Sequence, residues 1–170
     1  MRYLLIVAMV LAQCCVPTLL RVSPEYETQF TQYKAQYPAL TRPVFESVYD
    51  AANTNNVKTA VVLAVIEAES RFNPNARSYA DARGLMQVMG KYWYHGNAND
   101  LYRARTNVMI GTRVLRQYLD MADGNIILAL QHYNAGPKST YFNGPYIVRI
   151  MNHVARSEPD TPLSQYIASL

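Results

Sequence analysis

Cysteine is almost missing from this chain: it has two, Cys14 and Cys15, adjacent to one another and close to the N-terminus. Vicinal cysteines make a poor disulfide framework, and the residues after them carry no thiol, so no internal disulfide can hold the fold. Histidine is scarce as well. His95, His132 and His153 show no metal-ligand spacing, and the sequence asks for no metal and no cofactor. Charged residues make up only 16%, and the net charge of +4 comes from scattered Lys and Arg. With no basic run and no aromatic-rich RNA-binding signature, nothing supports a nucleic-acid partner. No period-2 pattern of useful length occurs, nor any internal repeat, which argues against sheet-rich and solenoid folds. What is present is a hydrophobic half of the chain, enough in 170 residues for one domain held by its core.

Long apolar runs are also lacking, with one partial exception. Tyr3 to Ala12 is an unbroken run of ten behind a short positive start at Arg2. That length suits a signal-peptide core better than a full membrane span, and Gln13, Pro17 and Thr18 interrupt its continuation. Leu11-Ala12-Gln13-Cys14 is similar to a lipoprotein cleavage box, although Gln13 is bulkier than the small residue usual there. Residues 1–22 are therefore expected to be a signal peptide or N-terminal membrane anchor. Export to the periplasm or cell envelope follows, with membrane contact only through this segment. Residues 23–43, polar, Tyr-rich and bounded by prolines, read as a connector with one short helix. A domain over 44–158 and a C-terminal tail over 159–170 complete the expected organisation.

Within the domain the pattern is helical. Pro43 suits a first helical turn, and Val44, Phe45, Val48 and Tyr49 share one face of the helix that follows. Asn56 is a candidate cap for a helix from Val57 to about Phe72, stopped by Asn73-Pro74. Ser78 to Tyr94 reads as loop with short structured pieces. Val108, Met109, Val114, Leu115 and Leu119 lie at helical spacing, Asp123-Gly124-Asn125 is a turn, and IILALQHYN is a short helix ended by Gly136-Pro137. A last helix is expected from Tyr146 to Ala155. The fold class is mainly α, in a single domain.

Two acids stand near the end of the helix VLAVIEAESRF, and their spacing separates them. Residues two apart on a helix point in different directions. Glu67 lies four before Arg71 in the favoured acid-then-base order, which reads as a surface ion pair stabilising by about 0.2–0.5 kcal/mol. Glu69 has Ile66 and Val65 at three and four residues back and no base at those spacings. It also falls in the last turn, where the helix dipole opposes ionisation. Apolar surroundings and a helix C-terminus both favour the neutral acid, which is the form that protonates a leaving group.

The surrounding stretch ESRFNPNARSYADARGLMQVM resembles the active-site segment of the soluble lytic transglycosylase (SLT) family, whose fold is lysozyme-like. The matching pieces are Glu69-Ser70, Phe72-Asn73-Pro74, Ser78, Gly84 to Gln87, and Met89. Asn107 and Gly111 match the family's N-x-x-x-G helix, Tyr133 to Pro137 its tyrosine motif, and Tyr146 and Ile150 its closing element. Together they run from about Val44 to Ile150 in the family's order. The resemblance implies an α+β lysozyme-like domain with a sugar-binding cleft, acting on the glycan strands of peptidoglycan. It implies Glu69 as the catalytic acid and base. Ser78 would orient Glu69 or the substrate's acetamido group, while Gln87, Met89, Tyr133 and Asn134 would bind the sugars.

The implied reaction cleaves the β-1,4 bond from N-acetylmuramic acid to N-acetylglucosamine and closes a 1,6-anhydro ring, without water. Members of the family serve secretion, conjugation, phage particles and general wall turnover, so such an assembly, or a virion location, stays open. Three departures stand out. Asp81 replaces a usual glycine, His132 a common alanine, and Phe142 a frequent glutamate four residues before the closing tyrosine. Asp81 keeps a two-carboxylate, lysozyme-like hydrolase as one alternative. A non-catalytic wall-binding or assembly subunit is another.

Overall fold

The computed structural model describes residues 23–158. The leader with its two cysteines and the C-terminal tail lie outside them. Helix α1 (Pro24–Gln36) opens with Ser23 accepting the Tyr26 N–H, proline in the first turn, Glu25 and Glu27 at the positive end and Lys34 at the negative end. The short helix expected within the connector is thus thirteen residues long, and its rings pack on the core. Tyr26, Phe30 and Tyr33 recur at helical spacing and gather around Phe45, with ring centroids 5.0, 5.4 and 6.1 Å away. Tyrosine's polar tip makes such a stripe read as hydrophilic in sequence.

Helix α2 (Arg42–Asn55) ends at Asn56, whose φ of 51° is left-handed, while the Val57 N–H returns to the Ala52 carbonyl. Asn56 therefore closes α2 rather than capping the next helix. That next helix, α3 (Thr59–Ser70), begins behind Lys58 without a side-chain cap and is shorter than expected at both ends. Its run from Ala60 to Ile66 is buried throughout, which explains an apolar sequence with no polar face. The chain then leaves the helix through two successive left-handed residues, Arg71 and Phe72. Phe72 is buried against Tyr37, ring centroids 5.3 Å apart, and this packing offsets the cost of its backbone.

A small antiparallel hairpin follows, β1 (Ala82–Arg83) against β2 (Val88–Met89), with Ala82 opposite Met89. Helix α4 (Gly90–Trp93) and a 3-10 segment (Ala98–Tyr102) lead into α5 (Ala104–Met121). Helix α6 (Ile126–Ala135) starts at the Asn125 cap and stops at Gly136 with φ 84°. Helix α7 (Gly144–Ser157) starts at the Asn143 cap, two residues before the expected position. Helices α2 and α5 pack together, α6 lies on α5, and α3 is covered by α7. Lys58 at the start of α3 meets Glu158 just past α7 at 2.8 Å, so the two run antiparallel and Glu69 comes to rest against the first turn of α7. No helix among the described residues is long and apolar enough to cross a membrane.

Candidate active site

Glu69 occupies the last turn of α3, three residues after the fully buried Ile66. Its Oε1 accepts a hydrogen bond of 2.7 Å from the hydroxyl of Tyr146, a buried residue in the first turn of α7. Burial pushes the Glu69 carboxyl up from 4.5 to about 7, against the opposing pull of the Tyr146 hydrogen bond and of Arg149. The same burial, with Glu69 beside it, holds the Tyr146 phenol well above its ordinary value. A carboxyl held there is present in both its protonated and its charged form near neutrality.

Glu67 differs, as its spacing implies, but not by pairing with Arg71. The left-handed backbone at Arg71 turns that side chain off the helical direction, and no ion pair joins the two.

The loop that follows is suspended from α5. The fully buried Asn107 accepts from the Met86 N–H at 2.8 Å and donates to the Arg83 and Leu101 carbonyls at 2.7 and 2.8 Å. Gly84, with φ 74°, lies so close that a Cβ would stand 2.2 Å from the Leu101 oxygen and 2.4 Å from the Asn107 amide. One turn along, a Cβ at Gly111 would meet Met86 at 2.7 Å. The asparagine and glycine of α5 are therefore the socket into which Gly84 to Gln87 fits.

Gln87 itself is left-handed, and its amide donates to the Ala76 and Gly84 carbonyls at 3.2 and 2.9 Å. The Tyr133 hydroxyl donates to the Met86 carbonyl at 2.8 Å, tying α6 to the same loop. Tyr133 also lies within electrostatic reach of Glu69, and burial first, Glu69 second, raise its phenol.

Gln87, Met89, Tyr133 and Asn134 come together on the wall of one cleft of about 850 Å³, which Trp93 and Tyr118 also line. Asn134 accepts from the Asn143 amide at 3.1 Å, which joins the cleft rim to the start of α7. Of the aromatic cluster after β2, Tyr92 and Trp93 face the cleft, whereas Tyr94 bonds Asp100. Glu69 and Ser78 are not among the wall residues. The Ser78 hydroxyl accepts the Ala82 N–H at 3.0 Å, and its backbone bonds Ala82 as well, so it pins the turn before β1 and makes no hydrogen bond to Glu69.

The departures have local explanations. Asp81 has φ 65°, the backbone region that glycine enters freely. Its carboxylate is held between Arg77 at 2.6 Å and Arg83 at 3.0 Å, and these hydrogen bonds lower its affinity for a proton. His132 lies on the cleft wall with its ring 5.8 Å from Tyr118, and its buried Nδ1 has no hydrogen-bond partner. Sequence reasoning did not assign Tyr146 to the site. The available signal was its place in the closing element, which could have been read as a partner for the acid.

The family model described as the transglycosylase SLT domain matches residues 46–144. Membrane-bound lytic murein transglycosylase C of Klebsiella pneumoniae is 28% identical over 121 residues, covering 71% of this chain and 28% of that protein. The chain thus spans little more than a quarter of that relative's length. An inactive variant of the lytic transglycosylase Slt from Pseudomonas aeruginosa superposes with a TM-score of 0.59 at 19% identity, over 76% of this chain and 26% of that one. The 70 kDa soluble lytic transglycosylase of Escherichia coli gives 0.54 at 21%, over 84% and 27%. These two likenesses carry the fold, a lysozyme-like helical domain, and the family match carries the kinship. By its sequence over residues 46–144, the chain belongs to the transglycosylase SLT domain family.

Proposed function

We propose that this chain is a peptidoglycan lytic transglycosylase in which Glu69 acts alone, first as acid and then as base. The observation that carries the reading is the Glu69 carboxyl itself, half-buried at the end of α3, raised by desolvation to about 7, and bonded by one phenol. Protonated, it donates to the oxygen linking N-acetylmuramic acid to N-acetylglucosamine, and the C1–O bond of the muramyl sugar breaks. The electron pair leaves with the N-acetylglucosamine oxygen. The acetamido carbonyl of the muramyl sugar supports the positive charge at C1, one of the recognised alternatives to a second carboxylate. Glu69, now charged and stabilised by Tyr146, removes the proton of the C6 hydroxyl, and that oxygen bonds to C1. The product is a 1,6-anhydro sugar, and Glu69 ends with its proton restored.

Gln87, Met89, Tyr133 and Asn134 would bind the sugars beside this centre, and Ser78 would act indirectly by fixing the turn before β1. A second carboxylate has little support, because Asp81 is exposed and engaged by two guanidinium groups. A substrate of this kind is met in the cell envelope, in keeping with the leader expected over residues 1–22. The deciding experiment digests purified peptidoglycan with the full chain and with Glu69→Gln, followed by mass spectrometry of the products. Anhydro-muropeptides from the native chain, absent with the variant, are expected. Reducing-end products would make the chain a hydrolase, and no products from the folded chain would make it a binding subunit.

A further inference from the structure

Among the described residues three α-helices open on a side-chain cap, Ser23 for α1, Asn125 for α6 and Asn143 for α7. The side chains of Ser23 and Asn125 make that one bond. Asn143 makes two. Its Oδ1 accepts the Tyr146 N–H at 3.2 Å, and its Nδ2 donates to Asn134 Oδ1 at 3.1 Å.

The two bonds fix each other's direction. A backbone N–H can be met only by an acceptor, so the Asn143 oxygen must face Tyr146 and its amide must face Asn134. Asn134 then presents its own oxygen to Asn143, which leaves its amide hydrogens for the cleft that it lines.

At the helix end the need for Asn143 is specific. The first turn of α7 contains Pro145, which has no N–H to offer. The Tyr146 and Ile147 N–H groups therefore anchor the turn, and both go to Asn143, the first to its side chain and the second to its carbonyl at 3.2 Å. Tyr146 is also the residue whose hydroxyl, at the far end of its ring, reaches Glu69 at 2.7 Å. A loosened first turn moves that hydroxyl, and a hydrogen bond weakens steeply as its geometry departs from the ideal. The other groups within electrostatic reach of Glu69 are Arg149 on α7 and Tyr133 on α6, and neither bonds Asn143.

Two amides in series also transmit. A sugar oxygen that accepts from the Asn134 amide makes the Asn134 carbonyl a better acceptor, which tightens its hold on Asn143. Asn143 in turn holds the turn that carries Tyr146.

Resting on the proposed function, we infer that Asn143 is a positioning residue with two partners, setting the Tyr146 phenol against Glu69 through its oxygen and fixing Asn134 on the cleft rim through its amide.

Two variants separate the bonds. Asn143→Ser keeps a cap oxygen for the Tyr146 N–H but is too short to bond Asn134 as well, whereas Asn143→Ala removes both bonds. On soluble glycan strands both variants should raise KM about fivefold. Only Asn143→Ala should also move the alkaline limb of the kcat–pH profile upward, by about half a unit, in the direction expected of Tyr146→Phe. Added to Tyr146→Phe, Asn143→Ala should move the limb no further. Carbon-13 NMR titration of the Glu69 carboxyl reads the same shifts without turnover. The β-1,4-linked tetramer of N-acetylglucosamine, titrated into both variants, reads the rim. A limb and a carboxyl titration unchanged in Asn143→Ala, or shifted as far with Tyr146→Phe already in place, would overturn the inference and leave Asn143 a structural cap. Tetramer binding at native strength in Asn143→Ser would overturn its hold on the rim. A native chain that releases no product while the Glu69 titration still depends on Asn143 would sink the proposed activity alone.

Discussion

The hydroxyl of Tyr146 reaches Oε1 of Glu69 across 77 residues of sequence, at 2.7 Å. The phenol donates, so it favours the charged carboxylate and moderates the effect of burial, which raises the carboxyl to about 7. In the reaction proposed here, it would hold the acid after the first proton has left, when Glu69 acts as the base. Tyr146→Phe should therefore move the alkaline limb of the kcat–pH profile upward while lowering kcat by about tenfold. A limb that stays in place, or moves down, would contradict this role for the hydrogen bond.

Glu69 also burdens the fold above neutrality. Its folded-state value of about 7 lies above the ordinary 4.5, so below pH 4.5 both folded and unfolded chains carry the proton and the acid is neutral in its effect. Between the two values the unfolded chain ionises first, and stability is lost as pH rises through about 7, by on the order of 2–3 kcal/mol. Glu69→Gln should consequently melt at a higher temperature than the native chain at pH 8. The gap should close at pH 4, and thermal melts at the two pH values decide the matter.

Asn107 tests the socket beneath the loop. Replacing it by Ala leaves the Met86 N–H and the Arg83 and Leu101 carbonyls without their buried partner, at a cost of about 3–5 kcal/mol. Denaturant titration should show that loss. Gly111→Ala should be milder in stability yet damaging to activity, because its methyl would displace Met86, whose carbonyl holds Tyr133.

Asp81→Gly separates a lyase with one acid from a hydrolase with two. Glycine accepts the left-handed backbone there without strain, and only exposed ion pairs are lost. Turnover of peptidoglycan should stay within about twofold of the native chain. A hundredfold fall would make Asp81 the second carboxylate.

Much of this site can be read in the sequence because its key residues break local rules. Glu69 is an acid without a partner in an apolar helix, and Asn107 and Gly111 are poor helix formers in the middle of one. What could not be read depends on packing between distant segments. Tyr146 becomes the partner of Glu69 only because α3 and α7 run antiparallel. The core role of helix α1, expected only as a short helix in a connector, was not legible because its buried face is built largely from tyrosines. Asn56 suits either end of a helix, and the choice fell to the Val57–Ala52 hydrogen bond. The Glu67–Arg71 pair failed for a related reason, since a left-handed residue ends the helix one position too early.

The placement of Tyr146 bears on how this domain can be trimmed. The family match ends at Gly144, the first residue of α7. A fragment cut at that boundary would retain the glutamate, the GLMQ loop and the YNAG motif, and would pass for intact by motif. It would nonetheless expose the apolar flank of α3 to water and leave Glu69 wet, with the ordinary acidity of a surface carboxylate. For a miniature of this domain, the working unit is set by the reach of one phenol rather than by the last recognisable motif.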